Sequence, residues 1–180
     1  MKITGLLILF LSFILTCFSF HSCDKDNNVS DNPPPGLEDT TVVQMHGLLQ
    51  LSGNKIVDKN NEPVCFAGNS FFWSNDNWGG ERYYKAEVIS WLKHDWKTTI
   101  VRAAMGVEDP GGYLDNKTAN KNRVKTVVDA AIDEGIYVII DWHSHHAEDN
   151  TNEAALFFQE MANLYGEYDN VIYEIYNEPL

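Results

Sequence analysis

Four strand-like runs alternate with three stretches of helical periodicity, and that order leaves few folds open. The runs are Gly68 to Trp73, Ile100 to Met105, Ile136 to Ile140 and Val171 to Tyr176. Between them, Val88, Ile89, Leu92 and Trp96 recur at helical spacing and predict a helix over 86–96. Val124, Val127, Val128, Ala131 and Ile132 predict a second over 120–134, closed by Gly135. Ala154, Phe157, Phe158, Met161 and Tyr165 predict a third over 151–165, with Asn150 and Glu153 spaced as a capping box and Gly166 as its stop. A strand as apolar as Ile136 to Ile140 must be covered on both faces, which is the condition of a parallel strand between helices. The pattern is a βα repeat. Ahead of it, Leu49 to Asp58 reads as a hairpin turning at Gly53-Asn54, followed by a turn at Asn60-Asn61 and a strand around Val64.

The last run carries the chemistry. Val171-Ile172-Tyr173-Glu174-Ile175-Tyr176 leads into Asn177-Glu178-Pro179, and a proline there ends strand pairing, so Glu178 is expected at a loop mouth. Period-two alternation places Glu174, Tyr176 and Glu178 on one face, with Glu174 an interior partner. Asn177 can donate through its amide to a ligand hydroxyl or to a neighbouring carboxylate.

In this context Asn170 to Pro179 resembles the fourth-strand signature of glycoside hydrolase family 5. Tyr137-Val138-Ile139-Ile140-Asp141-Trp142-His143-Ser144-His145 resembles the third-strand segment of that family's bacterial endoglucanases. Ile100-Val101-Arg102-Ala103-Ala104-Met105 looks like the second strand, and Gly68 to Trp73 like the first. The likeness runs in order from about Leu48 onward. It implies an α/β fold, the (β/α)8 TIM barrel, of which about the first four strands are present. A whole barrel needs roughly 250 residues, against 180 here. An incomplete barrel with an open sheet edge is therefore expected.

The resemblance implies a retaining glycosidase, in which two carboxyl groups roughly 5 to 5.5 Å apart act as acid/base and nucleophile. Glu178 matches the acid/base; the nucleophile would end a later strand. To start protonated near neutral pH, the acid needs burial or a neighbouring carboxylate. Arg102 matches the arginine that holds the nucleophile, the alternative being a structural pair with Glu174. His143 matches the substrate-contacting histidine, or else is a core histidine. Asn177 matches the residue that bonds the sugar 2-hydroxyl. Trp73 could stack on a pyranose ring or belong to the core, and Trp78, Tyr83 and Tyr84 are weaker candidates of the same kind. The activity implied is that of an endo-β-1,4-glucanase, a cellulase needing no cofactor and no metal, inactive in this fragment alone and monomeric when complete. Its partner is a β-glucan, whether cellulose, mixed-linkage glucan, xyloglucan or mannan.

The other end of the chain reads as an address. Lys2 precedes the apolar stretch Ile3 to Phe20, an export signal, or less readily an uncleaved anchor. Phe20-His21-Ser22-Cys23 resembles a bacterial lipoprotein signal, with Cys23 the lipidated residue. Residues 24–40 are rich in Asp, Asn, Pro and Gly, too polar to fold alone. The expected organisation is a signal peptide over 1–22, a tether over 23–41 and the catalytic part over 42–180, lipid-anchored to a bacterial outer membrane or cell surface. Of the three cysteines, Cys17 lies in the apolar stretch and Cys65 is expected as a small buried hydrophobe. The net charge of -13 argues against nucleic acid, whose phosphates need clustered Lys and Arg.

Two rival readings remain open. His143-Ser144-His145-His146 resembles the His-x-His zinc ligands of metal-dependent barrel hydrolases. A surface lipoprotein that binds glycan without hydrolysing it would use the same exposed aromatics.

Overall fold

A computed structural model describes residues 40–179, so the export signal, Cys23 and the tether up to residue 39 lie outside the described residues. The elements are α1 (Val42–His46), β1 (Gln50–Ser52), β2 (Lys55–Val57), β3 (Gly68–Ser70), α2 (Ala86–Trp96), β4 (Ile100–Gly106), α3 (Lys117–Glu134), β5 (Tyr137–His143), α4 (Thr151–Tyr165) and β6 (Val171–Glu174). β1 and β2 form the expected antiparallel hairpin, turning at Gly53. Strands β3 to β6 form one parallel sheet in chain order, β3-β4-β5-β6.

Alternation along the sheet separates its two faces. Val101, Ala103 and Met105 of β4 and Val138, Ile140 and Trp142 of β5 are almost fully buried, packed with Ile89 and Leu92 of α2, Val124, Val127 and Val128 of α3, and Phe157 and Met161 of α4. Trp142 anchors this layer, its ring lying 5.2 Å from Tyr113 and 5.6 Å from Phe157. The opposite face carries Arg102, Ala104, Ile139, Asp141, His143, Ile172 and Glu174, and register lines up Ala104, Asp141 and Glu174 across three strands. Chemistry-bearing residues thus occupy the face away from the helices.

All three predicted helices form. The Asn116 side chain caps α3 by accepting from the Ala119 N–H at 3.2 Å. At the other end Gly135 adopts φ 66°, and its N–H returns to the carbonyls of Ala131 and Ile132. Several details depart from expectation. Asn150 makes no capping bond, because a 3-10 turn over Ala147–Asn150 runs straight into α4 and denies it the extended conformation of a cap. Trp96 is exposed, lying in the last turn of α2 beyond the buried pair and packing on Trp91 instead. No strand forms around Val64; only Pro63 bridges to Val57. Cys65 is exposed, not buried, since no helix or sheet among the described residues covers that segment. β3 stops at Ser70 and β6 at Glu174, both shorter than their apolar runs.

Candidate active site

Arg102 organises the polar face. Its Nε and Nη2 donate to the two carboxylate oxygens of Glu174 at 2.7 and 2.8 Å, a fork-on-fork pair. Nη2 also lies 2.8 Å from Asp141 Oδ2 and donates to Asn177 Oδ1 at 2.9 Å, while Nη1 reaches Ser70 Oγ at 3.3 Å. One guanidinium thereby ties β3, β4, β5 and the end of β6 together. Bound Glu174 carboxylate holds the guanidinium protonated more firmly than usual. Among the described residues Arg102 forms the pair with Glu174 that was the alternative to its holding the nucleophile.

Asp141 is fully buried. Its Oδ2 also meets His143 Nδ1 at 2.7 Å, and its Oδ1 has no partner among the described residues. Burial pushes its carboxyl above the ordinary aspartate value, opposed by His143 and Arg102. His143 is itself only 7% exposed. With Asp141 ionised, Nδ1 carries the ring proton and Nε2 is left as an acceptor.

The alternation expected through Glu178 breaks after Glu174. Ile175 is exposed, and Tyr176 turns toward the loop after β5, where its hydroxyl bonds the His145 carbonyl and the Glu148 carboxylate. Asn177 returns to the polar side, 6% exposed, with its N–H donating to the Ser144 carbonyl at 3.2 Å. Tyr176 therefore leaves the common face predicted for it, because the ladder to β5 ends at Glu174 and the chain re-registers on the 144–148 loop.

Glu178 follows at φ 48° with its side chain 76% exposed, and the ionisable group set against it is His145, Nδ1 to Oε2 3.6 Å. The burial expected of the acid is not supplied by the described residues. Trp73 stands beside both histidines, its ring centroid 4.4 Å from His143 and 6.2 Å from His145. Trp78 stacks on it at 5.3 Å with 12° between the planes. Tyr84 is buried, donating to the Phe72 and Ala104 carbonyls, and so belongs to the core.

The site thus brings together Arg102, His143, Asn177 and Trp73 with Glu178 at its rim. Sequence reasoning missed Asp141 as the shared partner of Arg102, by an ion pair, and of His143, by a hydrogen bond, although its place two residues before His143 put it on the same strand face. It named His145 only as a rival metal ligand and missed its meeting with Glu178, which joins two loops and leaves no local trace. His143 and His145 lie with ring centroids 6.1 Å apart, and among the described residues no group of three or more His, Cys, Asp or Glu is arranged to hold a metal ion.

Parallel strands in chain order with helices packed on one face and polar side chains on the other define the class as a (β/α)8 barrel, here about its first four strands. Comparison with known proteins narrows this. The profile of the family described as Cellulase (glycosyl hydrolase family 5) matches residues 57–180. Endoglucanase Z of Dickeya dadantii (strain 3937) is 58% identical over 132 residues, covering 73% of this chain and 31% of that protein. An endoglucanase of Clostridium saccharobutylicum is 39% identical over 145 residues, 78% of this chain and 31% of that protein. Among solved structures, one from Cytophaga hutchinsonii superimposes with TM-score 0.73 at 51% identity, covering 77% of this chain and 44% of that one. The catalytic domain of Thermobifida fusca endoglucanase Cel5A gives TM-score 0.71 at 32% identity, with 77% and 45% covered. The chain belongs to glycoside hydrolase family 5. It spans about a third of the length of the curated relatives it matches.

Proposed function

We propose that the protein is an endo-β-1,4-glucanase that hydrolyses internal bonds of a β-glucan with retention of configuration. Its matched relatives are named endoglucanases, and the Thermobifida fusca domain has also been solved with cellotetraose. The observation that carries the reading is the placement of Glu178 at the strand-end mouth beside Asn177, itself locked by Arg102.

In this mechanism Glu178 protonates the departing glycosidic oxygen, then takes a proton from the water that releases the glycosyl-enzyme. The nucleophile is a second carboxylate from a later strand, and Arg102, oriented by Glu174 and Asp141, presents its charge toward it. His143 Nε2 accepts from a substrate hydroxyl, and the Asn177 amide bonds the 2-hydroxyl, a contact that tightens as positive charge grows on the sugar. The apolar stretch after Lys2 and the lipoprotein-like Phe20-His21-Ser22-Cys23 support a reading of the enzyme as exported and lipid-anchored at a bacterial outer membrane or cell surface.

The test is reducing-sugar release from carboxymethylcellulose and barley β-glucan by the protein carrying the whole barrel. Glu178→Gln should lower turnover roughly 100- to 10,000-fold with the fold unchanged. Undiminished turnover refutes the assignment, and glycan binding without any hydrolysis by the unaltered protein favours the binding lipoprotein instead.

A further inference from the structure

His145 has no part in the chemistry assigned to Glu178, yet it meets both residues on which that chemistry depends. Its Nδ1 lies 3.6 Å from Glu178 Oε2, and its Nε2 lies 3.5 Å from Asn177 Nδ2. The backbone around it is tied to the same segment. Asn177 donates its N–H to the Ser144 carbonyl at 3.2 Å, and the Tyr176 hydroxyl donates to the His145 carbonyl at 3.0 Å. Three consecutive residues after β6 thus take their places from Ser144 and His145. That loop is held in turn: Ser144 is fully buried, donates from Oγ to Glu108 Oε1 at 3.0 Å, and accepts on Oγ from the His146 N–H at 3.1 Å. The His145 side chain stays 38% exposed, so a core role does not account for it, and a side chain carried on so fixed a backbone can hold its neighbours in place.

The partners also dictate where the imidazole proton sits. Arg102 can only donate, so its 2.9 Å bond from Nη2 fixes the Asn177 atom facing it as Oδ1 and turns Nδ2 toward His145. An amide nitrogen likewise only donates, so His145 Nε2 accepts. In the neutral ring the proton is then on Nδ1, the nitrogen that faces Glu178. Arginine, amide, imidazole and carboxyl form a directional chain in which each contact sets the polarity of the next. The 3.6 Å separation at its end is longer than a hydrogen bond, as catalytic contacts often are before substrate closes a site.

We infer that His145 is a positioning residue for the general acid: its Nδ1–H is donated to Glu178 Oε2, which leaves Oε1 as the oxygen that carries the proton to the glycosidic oxygen. In that step the proton passes from Oε1 to the glycosidic oxygen, the C–O bond breaks with its electron pair going to that oxygen, and the nucleophile bonds the anomeric carbon. The leaving sugar departs as an alcohol, and Glu178 remains as a carboxylate still held at Oε2. The inference rests on the glucanase reading and names the side chain that aims its acid.

The test separates aim from general support by leaving group. In the protein carrying the whole barrel, kcat/KM is measured on cellotetraose, whose departing oxygen needs the proton, and on 2,4-dinitrophenyl β-cellobioside, whose departing phenolate does not. His145→Ala should lower kcat/KM on cellotetraose by about tenfold, a fraction of what general acid catalysis supplies, and change it on the dinitrophenyl glycoside by less than about twofold. His145→Asn, which keeps an N–H near the place of Nδ1, should regain most of the loss. Glu178→Ala should show the same selectivity more deeply. If Glu178→Ala is selective while His145→Ala lowers both substrates equally or neither, or its selective loss is not regained in His145→Asn, the positioning role is overturned and the glucanase reading stands. Equal loss on both substrates in Glu178→Ala, or no hydrolysis of either by the unaltered protein, overturns both.

Discussion

Asp141 shows how a single buried carboxylate can be neighboured by two bases at once. His143 hydrogen-bonds its Oδ2 and the Arg102 guanidinium lies in ion-pair contact with the same oxygen, yet burial still pushes the group above the ordinary value of 3.8. A carboxyl with a raised folded value binds its proton more readily in the native state than in the unfolded one. Its contribution to stability is therefore complete below about 3.8 and lost as pH rises through the folded value. Asp76 and Glu134 act in the opposite sense: hydrogen bonds from Arg123 and Ser90 lower them, so their contributions are present at neutral pH and fade in acid. The total acid profile mixes these signs, but the difference between the protein and Asp141→Asn isolates one group. Denaturant unfolding from pH 3 to 7 should show the unaltered protein losing stability relative to Asp141→Asn as pH rises, and a difference independent of pH would contradict the burial argument.

At the level of elements, chain reversals do as much as apolar faces. Gly135 joins α3 to β5 at φ 66°, and a Cβ there would approach the Thr41 side chain to 2.3 Å, so Gly135→Ala combines backbone strain with a clash. A loss of roughly 1 to 3 kcal/mol is expected in denaturant unfolding, and a neutral result would mean that the segment before α1 moves aside freely. This glycine was legible in the sequence, as were α2 and α4 to the residue, because dense apolar periodicity and a flanking turn signal agreed. The ends of β3 and β6 were not. Phe71 to Trp73 and Ile175-Tyr176 look like strand by composition, but pairing stops when the neighbour runs out, and composition carries no record of the partner. Cys65 and Trp96 failed for a related reason: residue type suggests burial, while only the three-dimensional arrangement says whether another layer arrives to cover it. In the site, residues on one strand face could be anticipated from period two, whereas His145 against Glu178 could not.

For the molecule as a whole, β3 and β6 each have one strand partner among the described residues, and apolar groups lie open near the β6 side, with Ile175 68% and Leu156 64% exposed. Open edges and such patches invite association. Produced alone, residues 40–180 should self-associate with rising concentration in light scattering and bind a hydrophobic dye; a monodisperse monomer indifferent to the dye would show that the four-strand sheet protects its own edges. The break in alternation after Glu174 has a wider consequence. Since the ladder ends there and Tyr176 and Asn177 take their bearings from the 144–148 loop, the carboxyl of Glu178 is surveyed from a loop and not from the sheet. Loop length is among the easiest things for a lineage to alter, so in this fold the Glu178 carboxyl can be re-aimed by a neighbour's insertion while the scaffold stays as it was.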